Sequence, residues 1–149
     1  TVGGFEGGVH TWAPVNITYG HNNRSAQFRL PQNRYCIENR AADLTMNIYL
    51  ALGMTISAAV DGIKNKIEPG KPSDFDLYAL KEDDMKKLGI RRLPRNLLQA
   101  VELLRNNKIA EKVLGKVMLN SYVNYKNDEW ERYHQAVTDW EVKEYLRLY

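Results

Sequence analysis

The sequence predicts an α+β fold, with antiparallel strands near the N-terminus of the chain followed by packed helices. Two patterns point there. Strict alternation of apolar and polar residues is confined to residues 13–42, and apolar residues at helical spacing take over from Asp43 onward. A length of 149 residues, 44% of them hydrophobic and 26% charged, suffices for a domain with a real core.

The first twelve residues, "TVGGFEGGVHTW", are rich in glycine and read as a flexible loop. "PVNITYG" then sets Val15, Ile17 and Tyr19 against Asn16 and Thr18, which is a strand pattern. "GHNNR" is turn chemistry. In "SAQFRLP", Ala26, Phe28 and Leu30 face one way, Ser25, Gln27 and Arg29 the other, and Pro31 ends the run. "RYCIENR" is a third strand candidate, with Arg34, Cys36, Glu38 and Arg40 on one face. Residues 43–149 are expected to be helical. Within 44–66, Leu44, Ile48, Leu52, Ile56, Ala59 and Ile63 form a stripe of the kind that is buried. "EPGKPSDFD" is a connector. "LPRNLLQAVELLRNN" opens another helix, with Leu97, Leu98, Val101 and Leu104 inward. Residues 108–134 supply one or two more, carrying Val113, Val117, Tyr122 and Trp130, and the last begins at "TDWE", where Thr138 and Glu141 have capping-box spacing.

Composition removes several function classes. The net charge of +3 is too small and too dispersed to indicate a nucleic-acid surface. The longest apolar run, "IYLALGMTISAAV", is interrupted by Gly53, Thr55 and Ser57 and is short of a membrane span. Cys36 is the only cysteine, so no internal disulfide forms, which fits a reducing compartment. The start has neither the basic nor the apolar region of a signal peptide and lacks an initiator Met, so Thr1 is expected to be the edge of a fragment, a processed product or part of a longer chain.

The chemistry concentrates in residues 22–43, where Arg24, Arg29, Arg34 and Arg40 surround Glu38. Guanidinium groups stay charged and match phosphate oxygens in a fork. One carboxylate among them suits a divalent cation. Such a face fits a phosphate-plus-metal site for phosphoryl transfer, and it equally fits a solvated sheet face with ordinary ion pairs. Cys36 has no His or Asp placed to activate it, and His10, His21 and His134 lack metal-ligand spacing.

These words resemble the glutamine synthetase family. "APVNITYGHNNRSAQFRLP" is similar to its segment reading APV, then NRS, then R-[IL]-P. "CIENR" falls where the family has R-x-E-x-R, "NIYLALGMTISAAVDGIKNKIEPG" resembles its N-P-Y-L helix, and "FDLYAL" and "LPRNLLQAVELL" match two later elements. The resemblance covers nearly the whole chain from Ala13 and implies the C-terminal part of a catalytic domain. It implies an ATP-dependent ligase that joins ammonia to the γ-carboxylate of glutamate through a γ-glutamyl phosphate, with Mg²⁺ or Mn²⁺. By motif position, Arg24 would contact the transferring phosphoryl group, Arg29 would hold ATP phosphates, Glu38 would bind metal and Arg40 would bind glutamate. A ring-like homo-oligomer in the cytoplasm, with neither nucleic acid nor membrane as partner, is implied too.

The sequence also departs from the family. Cys36 replaces the first arginine of R-x-E-x-R, and Arg34, on the same predicted face, is the expected substitute toward ATP. Trp12 stands where the family carries a flap Glu, which leaves ammonia and a small alkylamine both open, the latter as in γ-glutamylmethylamide-type ligases. Ile48 replaces the proline of N-P-Y, affecting only the helix start. Most of the family's metal-binding glutamates, its metal-site His and its N-terminal domain have no counterpart in this sequence, so the 149 residues alone are expected to be inactive. A non-catalytic relative that keeps the fold for binding or assembly is the alternative.

Overall fold

In the computed structural model the described residues are 4–6, 9–11 and 13–146. They form two compact units, one running to Leu93 and the other from Pro94 onward. Strands come first and helices after, as the α+β expectation requires, except that one late strand, Arg91–Arg92, follows two helices.

The first unit is built from short strand pairs. Where glycine-rich composition predicts a loop, β1 (Gly4–Glu6) and β2 (Val9–Thr11) pair antiparallel, Phe5 opposite His10. β3 (Asn16–Ile17) pairs antiparallel with the late strand β7 (Arg91–Arg92), a partner too far along the chain for local pattern to reveal. A three-stranded sheet holds β4 (Tyr19–His21), β5 (Phe28–Leu30) and β6 (Glu38–Asn39), in that order. β5 and β6 are antiparallel, with Arg29 directly opposite Glu38. β4 and β5 run parallel, where antiparallel strands were expected.

The tight parallel return between β4 and β5 has a local cause. Asn22 takes a left-handed backbone, φ 55°, which asparagine tolerates better than most residues. Asn23 then accepts hydrogen bonds from the Ser25 amide (2.9 Å) and hydroxyl (2.7 Å). Its amide group donates to the carbonyls of Ser73 (2.5 Å) and Phe75 (2.9 Å).

The Pro- and Gly-containing connector after the first helix is thereby tied down. Ser73 N–H donates to the Tyr19 carbonyl at 2.8 Å, the Tyr19 hydroxyl donates to the Gly70 carbonyl at 2.8 Å, and the Leu77 amide donates to Ser25 Oγ at 3.1 Å. Among the described residues of this unit Leu77, Ala26 and Met85 are buried, as are the polar Ser25, Asn16 and Ser73. Met85 sits on α2 (Glu82–Lys87), a helix that no apolar period announces. Its acidic first turn and basic last turn suit the helix dipole.

α1 (Ile48–Lys64) is capped by Asn47, whose side chain accepts from the amides of Tyr49 and Leu50. The helix starts later than the apolar pattern suggested, and Leu44 is exposed outside it. The expected stripe is present but not buried: Leu52 and Ile56 are each 54% exposed and Ile63 78%. Periodicity records that a face needs covering, not that the cover is in the same segment.

In the second unit, α3 (Leu97–Arg105) is capped by Asn96 and buries Val101, with Leu97, Leu98 and Leu104 half-buried as expected. α4 spans Lys108–Gln135 but breaks at Gly115, φ 72°. Ala110, Leu119 and Val123 are buried, whereas Val113 and Val117, on either side of the break, are exposed. A left-handed residue resets the helical phase, so a 3.6 period read across it picks the wrong face. Tyr122 and Trp130 are half-buried as the pattern required. α5 (Asp139–Tyr145) carries the full capping box: Glu141 N–H donates to Thr138 Oγ1 (3.2 Å), and Thr138 N–H to Glu141 Oε2 (2.7 Å).

The close approach of β4 to the connector leads to one prediction. A Cβ at Gly20 would overlap the Ser73 carbonyl oxygen, a backbone atom that cannot rotate away. Gly20→Ala is expected to destabilise the fold by roughly 1–3 kcal/mol, read from urea unfolding.

Candidate functional site

The antiparallel register of β5 and β6 places Arg29 against Glu38 without any long-range coincidence. One Arg29 terminal nitrogen, Nη1, donates to both carboxylate oxygens of Glu38, at 3.0 and 2.9 Å. Its other terminal nitrogen donates to Asn22 Oδ1. Arg34 Nη2 donates to Glu38 Oε1 from the opposite side. The Glu38 carboxylate is thus held between two guanidinium groups. The Arg29 and Glu38 side chains are 16% and 24% exposed and Arg34 is 60% exposed, so Arg34 forms the open rim. The buried Nε–H of Arg29 has no hydrogen-bond partner among the described residues.

The route to this cluster differs from the one expected. Arg34 and Cys36 are not on a strand; β6 contains only Glu38 and Asn39. Arg34 reaches Glu38 because the preceding segment turns back, not because alternate residues share a sheet face. Cys36 is a free, exposed thiol.

Arg40 is fixed nearby through its backbone and side chain. Its amide donates to the Gln27 carbonyl at 2.8 Å and its Nε to the Arg24 carbonyl at 2.9 Å. Arg24 lies in the turn before β5, and its guanidinium is exposed with no ion-pair partner among the described residues. Tyr78 donates its hydroxyl to the Ala13 carbonyl at 2.8 Å; burial pushes its pKa up, with the positive charge of Arg40 opposing. Arg29, Arg34 and Glu38 are therefore in direct contact, Arg40 is joined to the Arg24 backbone, and the Arg24 side chain stands apart. Trp12 lies outside the described residues.

Two residues at the site carried no functional signal in the sequence. Asn22, read as turn chemistry, contacts Arg29. His21, read as isolated, is gripped by Asp74: its N–H donates to Oδ1 at 2.6 Å, and its Nδ1 lies 3.0 Å from Oδ2. The partner is more than fifty residues away in sequence, so no spacing rule finds it. The hydrogen bonds from His21 hold the Asp74 carboxyl below the usual carboxylate range.

The site can bind a polyanion and contribute to a cation. Hydrogen bonds from Arg29, then from Arg34, hold the Glu38 carboxyl below its ordinary range, so it is an anion throughout neutral pH. Among the described residues no group of three His, Cys, Asp or Glu side chains could enclose a metal. A single carboxylate fits a cation shared with phosphate oxygens and with ligands from elsewhere.

Comparison with known proteins decides what this geometry belongs to. The family model for the glutamine synthetase catalytic domain matches residues 8–145. The chain belongs to the glutamine synthetase catalytic-domain family. It is 40% identical over 139 residues to a glutamine synthetase of Methanococcus maripaludis, covering 91% of this chain and 31% of that protein. It is 38% identical over 139 residues to a glutamate–methylamine ligase of Methyloversatilis universalis, covering 93% of this chain and 31% of that protein. A solved structure described as apo GmaS without ligand superimposes with a TM-score of 0.75 at 32% identity, over 90% of this chain and 30% of that one. The chain thus spans about 31% of the length of the curated relatives it matches.

The Glu38 electrostatics set a pH dependence. Its folded pKa is lowered, so the ion pairs contribute stability above the unfolded value of about 4.3 and lose it as pH falls through the folded value. Acid unfolding of the wild type is expected to show a step in that window. Glu38→Gln should lack the step, measured by circular dichroism from pH 7 downward.

Proposed function

We propose that this chain is the nucleotide-phosphate and glutamate-binding part of an ATP-dependent glutamate–amine ligase, which joins ammonia, or a small amine, to the γ-carboxylate of glutamate. The observation that carries this reading is the Glu38 carboxylate held between Arg29 and Arg34, with an unpartnered Arg29 Nε–H beside it. Such a cluster suits the holding of phosphate oxygens next to a divalent cation.

The roles divide by position. Arg29 and Arg34 bind and orient ATP phosphates. Arg24, exposed and without an ion-pair partner among the described residues, reaches the transferring phosphoryl group. Arg40, anchored on the Arg24 carbonyl, binds the substrate carboxylate. Glu38 is the chain's ligand for Mg²⁺ or Mn²⁺, which when bound neutralises phosphate charge. Residues 13–42 carry the site and 43–149 the helical part of the domain.

Activity also requires what this segment does not supply. Further metal ligands must come from the remainder of the catalytic fold, and the uncovered stripe of α1, from Ile48 to Ile63, is a face for that remainder to cover. We extend the reading to a ring-like homo-oligomer working in the cytoplasm. Analytical ultracentrifugation of the complete protein tests the ring.

The amine has two candidates, because the two relatives compared are a glutamine synthetase at 40% and a glutamate–methylamine ligase at 38% identity. Phosphate release from ATP by the complete protein, with glutamate and Mg²⁺, separates them. Release that depends on ammonia makes it a glutamine synthetase, and a methylamine preference makes it an alkylamide ligase. ATP binding without release under either amine overturns the ligase in favour of a binding relative. In the same assay Arg34→Ala is expected to raise the KM for ATP about 10-fold, as loss of a charged hydrogen-bond donor does. An unchanged KM would remove Arg34 as the substitute for the arginine that Cys36 displaces.

A further inference from the structure

The guanidinium of Arg29 has two forks, and only one is accounted for by Glu38. The other nitrogen is held by Asn22, which follows β4 and whose own amide donates to the Leu30 carbonyl at 2.8 Å, next to Arg29 in the ladder. The residue before Asn22 is His21, clasped through both its backbone amide and its ring by Asp74 of the connector. The connector is in turn fastened to β4 by Ser73, whose amide donates to the Tyr19 carbonyl.

We propose that Asn22 is a positioning residue for Arg29, and that the connector segment 70–76, through the His21–Asp74 clasp, sets the position of Asn22. This rests on the reading that Arg29 holds ATP phosphates. The physical need is clear. Arg29 contacts Glu38 through one terminal nitrogen, a contact that permits rotation of the guanidinium plane. A second acceptor on the other nitrogen fixes that plane, so the remaining N–H groups, Nε–H among them, point in a set direction before a ligand arrives. The ladder hydrogen bond from the Asn22 amide to the Leu30 carbonyl holds Asn22 beside β5, where its Oδ1 meets Arg29.

The test is a double-mutant cycle in the complete enzyme, reading the KM for ATP, kcat and thermal stability. Asn22→Gly accepts φ 55° without strain and removes only the amide acceptor. Asn22→Asp keeps an acceptor oxygen at a position that tolerates left-handed backbone. Expected is a KM for ATP raised about 3- to 10-fold in Asn22→Gly with kcat nearly unchanged. Asn22→Asp should restore it, and Asn22→Gly should add nothing in an Arg29→Ala background. Asp74→Ala should shift KM the same way.

A weakened Arg29→Ala beside an unchanged Asn22→Gly would overturn the positioning role alone. So would an Asn22→Gly effect that persists without Arg29. An Arg29→Ala enzyme with normal ATP KM would overturn the underlying nucleotide assignment and this role with it. An active Asn22→Gly effect with an inert Asp74→Ala would overturn the part assigned to the clasp.

Discussion

A carboxylate on β6 gripped by two guanidinium groups, one from β5 and one from the segment before β6, is the constraint around which the first unit is arranged. Desolvating Arg29 and Glu38 to 16% and 24% exposure costs free energy, which the hydrogen bonds from Arg29 and Arg34 offset in favour of the charged carboxylate. Packing alone gives no reason for an arrangement of this kind, because an apolar pair at the same register would serve the sheet as well. Under the proposed function it is a site held ready: the charges are already partly stripped of water and fixed in place, so phosphate and cation would meet a preorganised surface.

The rest of the unit supports that cluster. The β5–β6 register sets Arg29 across from Glu38, and the Asn22–Asn23 turn makes the parallel return to β5 short. The connector then locks the turn through Ser73, Asp74 and Phe75. A segment that composition marks as linker is thus part of the scaffold of the site. It has no apolar period because its role is hydrogen bonding: it presents backbone carbonyls and one carboxylate to β4.

The sequence disclosed local features and hid distant ones. The capping box at Thr138 and Glu141, the inner face of α3 and the Arg29–Glu38–Arg34 contact within the arginine-rich stretch were legible, since each depends on spacing of a few residues, whereas Arg40 donates to the Arg24 carbonyl and the Arg24 side chain stands apart. The β3–β7 pairing and the His21–Asp74 clasp were not, because they join residues more than fifty positions apart. The strand assigned to Arg34 through Arg40 failed for a different reason. Alternation of charged and apolar residues also arises in a turning segment whose charges converge on one acid. The α1 stripe was read correctly as apolar, but it is exposed among the described residues, since periodicity does not report what covers a face.

The central claim, that Glu38 joins a cation to nucleotide phosphate between Arg29 and Arg34, is tested most directly by Mn²⁺ titration followed by electron paramagnetic resonance. The complete protein would be titrated with and without a non-hydrolysable ATP analogue, as wild type and as Glu38→Gln. The account predicts tighter Mn²⁺ binding with the nucleotide present and a loss of about 10-fold in Glu38→Gln, in line with removal of one charged ligand. Equal Mn²⁺ affinity in wild type and Glu38→Gln, with the nucleotide bound in both, would contradict it and leave the cluster as an ion pair of the fold alone.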